Sequence, residues 1–204
     1  MSLIVVLAAL QPALTVPSGP PNAMRTAQVA PQRAAEPLAR FSDVPGVEIT
    51  YYDVAGRDVP QIHKAVRKAA PRDPATQHPL PATSSWTVAV AVRSTTTGNV
   101  CRITGATLKF RGQAVMPRLQ ADKDTPAPVV AAWNTYVARL ESRQAAQLRF
   151  AYDRLGEVER AILGSPCNKA EAATDSALAR LEEQQRLAFK KAAESQPRLE
   201  EPKD

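Results

Sequence analysis

Few residues of this 204-residue chain have the chemistry of a reactive group. A metal site needs imidazole, thiolate or carboxylate donors that converge, and the chain has two histidines, His63 and His78. His63 falls on the polar side of a short helix beside Lys64 and Arg67, and His78 lies in a proline-rich loop. Neither has a partner at ligand spacing, so both read as surface histidines. The carboxylate pairs Glu182-Glu183 and Glu157/Glu159 sit on surface helices and read as solvated charges, not as an acid/base pair. There is no Gly-rich phosphate loop and no nucleophile elbow. Cys101 and Cys167 are the only cysteines. An even count suggests a disulfide in an exported protein, and two buried free thiols is the other reading. What remains is a pair of amides. Gln144 and Gln147 lie between Leu140 and Ala151 in the apolar stripe of the longest helix. Burying an amide unsatisfied costs about 1–3 kcal/mol, so the pair marks either a polar pocket under the helix or a stretch where the helix leaves the core.

The elements that would position these residues follow from periodicity and punctuation. Val47 to Tyr52 is a β-rich run ended by Asp53 and Gly56. Asp58 then caps a short helix, with Gln61 in the capping-box position, Ile62, Val66 and Ala69 on its apolar face, and Pro71 as its stop. Residues 71–82 hold four prolines and read as a loop. Trp86, Val88, Val90 and Val92 alternate with Thr87, Ala89, Ala91 and Arg93, the pattern of a strand with one buried face. Ser94 to Asn99 reads as a hairpin turn, and the return strand runs from Val100 to about Val115, ended by Pro117. Its parity changes midway: Cys101 and Ile103 share one face, Leu108 and Phe110 the other. Gly105 lies between, so a bulge is expected there.

From Pro128 to Leu163 the period is helical, with Trp133, Val137, Leu140, Ala151, Leu155, Val158 and Ile162 on one stripe. Gly156 would bend or divide it, and Gly164-Ser165-Pro166 closes it. A second helix from about Lys169 to Ser195 carries Leu178, Leu181, Ala188 and Ala192 on one side. The fold class is therefore α+β: a small antiparallel sheet of about three strands packed on a long helix and a C-terminal helix, plus one short helix.

Composition narrows the setting. The formal charge of +6 would favour acidic partners, but the charges are interspersed: Lys190-Lys191 shares its segment with Glu182-Glu183 and Glu194. No stretch interleaves Lys or Arg with stacking aromatics, so nucleic acid is not expected as a partner. Leu3 to Leu10 is an uninterrupted apolar run, too short to cross the ~30 Å hydrocarbon core and of the length of a secretory h-region. No Lys or Arg precedes it, and no clean A-x-A site follows, Ser18 and Ala23 being passable. The expected division is a signal peptide at 1–23, a Pro/Ala-rich disordered spacer at 24–45, one domain at 46–196 and a loose tail at 197–204. No membrane span would remain after signal removal.

Several segments in order then resemble one family. Tyr51-Tyr52-Asp53-Val54-Ala55-Gly56-Arg57 resembles its opening strand and turn, Ser85-Trp86-Thr87-Val88 its second strand and Cys101-Arg102-Ile103-Thr104 its third. Met116-Pro117 and a helix beginning near Val129-Val130-Ala131-Ala132-Trp133 follow. Over residues 47 to about 190 the chain resembles a bacterial family of secreted zinc-dependent proteases, a domain-of-unknown-function family. The resemblance implies a His-Glu-x-x-His motif on the long helix, two imidazoles for zinc and a carboxylate to activate water. Counted from Leu140, the matching positions here are Arg143, Gln144 and Gln147. Arg143 has no lone pair, Gln144 is no base at neutral pH, and Gln147 offers only a weak amide oxygen. The family's Gly/His-containing tail is also missing, since the chain closes on Ser195-Gln196-Pro197-Arg198-Leu199-Glu200. The resemblance supports a bridge between Cys101 and Cys167.

The expectation is a degenerate member: a catalytically inactive secreted or periplasmic domain with a binding or structural role and no cofactor, zinc being expected for active relatives only. Arg143 is the candidate for holding an anionic group, and a peptide or protein of the cell envelope is the partner envisaged. The alternatives are an active zinc-dependent peptidase using non-standard ligands, and a helical protein–protein interaction module of the cell envelope built on the C-terminal helix.

Overall fold

A computed structural model describes residues 39–194, with side chains as far as Lys190. The signal at 1–23, most of the spacer and the tail at 197–204 lie outside the described residues, as does the side chain of Ala192. The chain is α+β, with three strands and four α-helices among the described residues. Strand β1 (Val47–Val54) leads into helix α1 (Val59–Ala69). Strands β2 (Thr83–Thr97) and β3 (Val100–Leu119) form a long hairpin. Helices α2 (Ala127–Asp153), α3 (Leu155–Ile162) and α4 (Ala170–Glu194) follow.

The sheet is mixed rather than antiparallel throughout. β3 is central, antiparallel to β2 and parallel to β1, from Val47 opposite Gly112 to Val54 opposite Leu119. α1 and the proline loop carry the chain from one edge of the sheet to the other, and the β2–β3 hairpin then folds β3 back between them. The cap of α1 is the one its sequence announces. Asp58 Oδ1 accepts from the backbone N–H of Gln61 at 2.8 Å, a contact of the kind that contributes about 1 kcal/mol. Gln61 reaches back one residue further than a capping box requires, its Oε1 accepting from Arg57 N–H. α1 buries Val59, Ile62 and Val66; Ala69 is exposed and Ala70 takes the core position instead. Ala70 is extended (ψ 144°), as the residue before Pro71 must be.

The hairpin turn is tighter than expected: Ser94 to Thr97 are strand, and only Gly98-Asn99 make the loop, with Gly98 at φ +61°. The bulge lies where parity places it. Arg93 pairs with Gly105 and Ser94 with Ile103, so Thr104 is the extra residue. It brings both Ile103 and Phe110 into the interior. Val92, 44 % exposed, and Val100, 54 % exposed, belong to the tip beyond the packed region.

Pro117 does not end β3. It is fully buried opposite Tyr52, and the strand continues to Leu119. β2 begins opposite Val115, so at Pro117 the strand has a neighbour on one side only, where a missing N–H is tolerated. Order also begins before residue 46: Phe41 and Val44, assigned by composition to the spacer, are core residues. A lone aromatic and a lone valine in a Pro/Ala-rich stretch carry no period by which to find them.

α2 buries Val129, Trp133, Tyr136, Leu140, Gln144, Ala145, Leu148 and Ala151; Val137 is only half-buried. The helix divides at Arg154 (φ −101°, ψ 5°), not at Gly156, which lies within α3 in open space. Val158 and Ile162 of α3 join Ile103, Ala177 and Leu181 in a second, smaller core. On α4 Ala188 is exposed, and Phe189 packs edge-on against Phe150 instead.

Candidate functional site

A cleft of about 200 Å³ opens where the chain enters β2 against the middle of α2, lined by Leu80, Pro81, Ala82, Thr83, Ser84, Leu140, Arg143, Gln144 and Gln147. The helical period brings Leu140, Arg143, Gln144 and Gln147 to this side of α2, at spacings of three and four. The opposite wall is irregular chain held by its own bonds. Leu80 N–H donates to Pro71 O at 2.7 Å, and Asp73 N–H donates to His78 O at 2.9 Å. Asp73 accepts from the N–H groups of Thr76 and Ala75, which hold its carboxyl below the usual range. Tyr52 Oη donates to Pro81 O at 2.8 Å, and burial pushes its hydroxyl well up from its ordinary value. The rim is thus tied to both the sheet and the loop.

Gln144 is spoken for. Its Oε1 accepts from Ser84 Oγ at 2.8 Å, and its Nε2 donates to Ala82 O at 3.3 Å. Ser84 has one proton to give, and Gln147 Oε1 at 3.3 Å is its second acceptor. Behind this pair a relay crosses to α4: Gln185 Nε2 donates to Gln147 O at 2.7 Å, and Trp86 Nε1 donates to Gln185 Oε1 at 2.9 Å. Satisfied this way, the buried amide of Gln144 stitches α2 to the start of β2.

Arg143 is the exception. Its Nε–H is buried with no acceptor, and among the described residues the guanidinium has no ion pair. Burial pushes its pKa down. An orphaned N–H of this kind costs about 1–3 kcal/mol, which marks it as a feature that stability alone does not explain.

The three positions singled out in the sequence therefore meet in one cleft, the first of the two readings that the glutamines left open. Cys101 and Cys167 are joined by a disulfide with a Cα–Cα distance of 5.5 Å. His63 and His78 are both exposed and line no part of the cleft. Among the described residues no group of three or more His, Cys, Asp or Glu side chains is gathered that could hold a metal ion. Nor is any helix there long and apolar enough to cross a membrane. Two members of the network escaped the sequence reading, Ser84 and Gln185. Ser84 shares the face of Trp86 and Val88, and Gln185 lies one turn beyond Leu181, so each stands at a core-facing position with a polar side chain.

No curated protein and no solved structure matches the chain. Residues 49–191 match the family described as Bacterial protein of unknown function (DUF922), so the chain belongs to that bacterial family.

Proposed function

We propose that the chain is a catalytically inactive, exported relative of secreted zinc-dependent proteases, whose cleft between β2 and α2 binds rather than cleaves. The observation that carries this reading is the chemistry of positions 143, 144 and 147. Zinc hydrolysis needs two lone-pair donors one helical turn apart and a carboxylate between them. Arg143 brings a positive charge and no lone pair. Gln144 spends both ends of its amide on Ser84 and Ala82. Gln147 keeps only its amide, with Oε1 beside the Ser84 hydroxyl. This donor set does not fit zinc. Export is supported by the bridged cysteines, which belong to an oxidising compartment.

The test is metal analysis and casein hydrolysis on the purified protein beside the triple variant Arg143→His, Gln144→Glu, Gln147→His. Wild type is expected to hold no stoichiometric zinc and to leave casein intact, while the variant gains zinc. Zinc at one equivalent in wild type, together with hydrolysis, would remove the proposal.

A further inference from the structure

The lining of the cleft is chemically one-sided: one cation, Arg143, and no carboxylate among nine residues. Its donors fall into two sets. Ser84 Oγ and Gln144 Nε2 are consumed by protein acceptors. Among the described residues the terminal nitrogens of Arg143 and Nε2 of Gln147 have no hydrogen-bond partner, and the two residues lie one helical turn apart on the same wall. The Nε of Arg143 is buried without an acceptor, and the residue lines the cleft. The remaining lining is Thr83 and the apolar Leu80, Pro81, Ala82 and Leu140.

We propose that this cleft is a carboxylate-binding site, in which Arg143 and Gln147 hold the carboxylate and Leu80, Pro81 and Leu140 receive an adjoining aliphatic group. A planar fork facing a planar two-oxygen acceptor is the arrangement that makes a guanidinium selective for carboxylates. The volume suits one amino-acid-sized group. Two sources share this chemistry, a small organic acid and the C-terminal residue of a peptide chain. The inference rests on the non-catalytic reading above, since a hydrolytic cleft would instead hold a scissile bond at these positions.

Calorimetric titration of the purified protein tests it, with N-acetyl-leucine, N-acetyl-leucine amide, and a pentapeptide ending in leucine with either a free or an amidated terminus. The free acids are expected to bind, and the amides to bind about tenfold more weakly or not at all. Arg143→Gln should abolish the difference, and Arg143→Lys, which keeps the charge and loses the fork, should restore only part of it. Tighter binding of the free-acid pentapeptide than of N-acetyl-leucine assigns the site to chain ends; equal affinity assigns it to small acids. Acid and amide binding alike, Arg143→Gln binding the acids as wild type does, or no binding of either acid overturns the inference. Peptide cleavage during the titration would instead count against the non-catalytic reading, so the two failures are separable.

Discussion

Gln144 and Arg143 are consecutive on α2, yet their environments oppose each other, and this makes a paired prediction possible. Truncating Gln144 leaves Ser84 Oγ without its closest acceptor and Ala82 O without this donor, in a buried position. Gln144→Ala is expected to destabilise by about 1–3 kcal/mol in urea denaturation. Arg143→Met keeps much of the volume and removes the orphaned Nε–H, so it should leave stability unchanged or raise it by about 1 kcal/mol. A large loss in Arg143→Met would mean that the guanidinium serves the fold, and its retention would then need no ligand. The importance of Gln144 and Gln147 was legible in the sequence because two amides interrupt an apolar stripe, and such an interruption demands partners. Which partners answered was not legible. Ser84 and Gln185 lie 60 and 38 positions away from the glutamines they bond, and only the tertiary fold sets those distances.

At the scale of elements, the sheet is fitted to α2 through Gly112, whose absent side chain lets Leu148 approach. A Cβ there would lie 3.0 Å from Val47 Cγ2, 3.2 Å from Phe110 Cε1 and 3.3 Å from Leu148 Cδ1, all in the packed interior. Gly105, at the bulge, has only the Arg93 side chain within that range, and Arg93 is exposed and free to swing. Gly112→Ala should therefore cost about 1–3 kcal/mol, and Gly105→Ala distinctly less. Thermal denaturation of the two variants compares them, and equal losses would contradict this account of the packing. The bulge itself could be read from parity alone, because a strand cannot turn Ile103 and Phe110, seven positions apart, to one face of the sheet without an extra residue. Pro117 could not be read in the same way. Whether a proline ends a strand depends on how far its neighbours extend, and that is a property of the sheet, not of the strand.

At the scale of the molecule, the long hairpin outruns its support. β1 covers the free side of β3 only from Gly112 onward, and before that point, toward the hairpin tip, β3 relies on the connection between α3 and α4. There Ile103 N–H donates to Ser165 O and Gly164 N–H donates to Ile103 O, both at 2.9 Å, and Arg102 Nη1 donates to Gly164 O. The Cys101–Cys167 bridge locks this seam and joins the sheet to the smaller core around Val158, Ile162 and Leu181. It closes a loop of 66 residues, for which chain entropy alone gives about 4 kcal/mol, an upper figure because unfolded-state structure and native strain reduce it. The double variant Cys101→Ser, Cys167→Ser is expected to lose about 2–4 kcal/mol. The loss should also be uneven. Residues 94–104 have few buried neighbours beyond the seam, so their amides should exchange with deuterium faster well before those of α2 and β1 do. Even acceleration across the domain would mean that the bridge acts on the unfolded chain alone. A graded pattern, fastest at the hairpin tip and slowest around Leu148, would mean that it also holds two cores together as one folding unit.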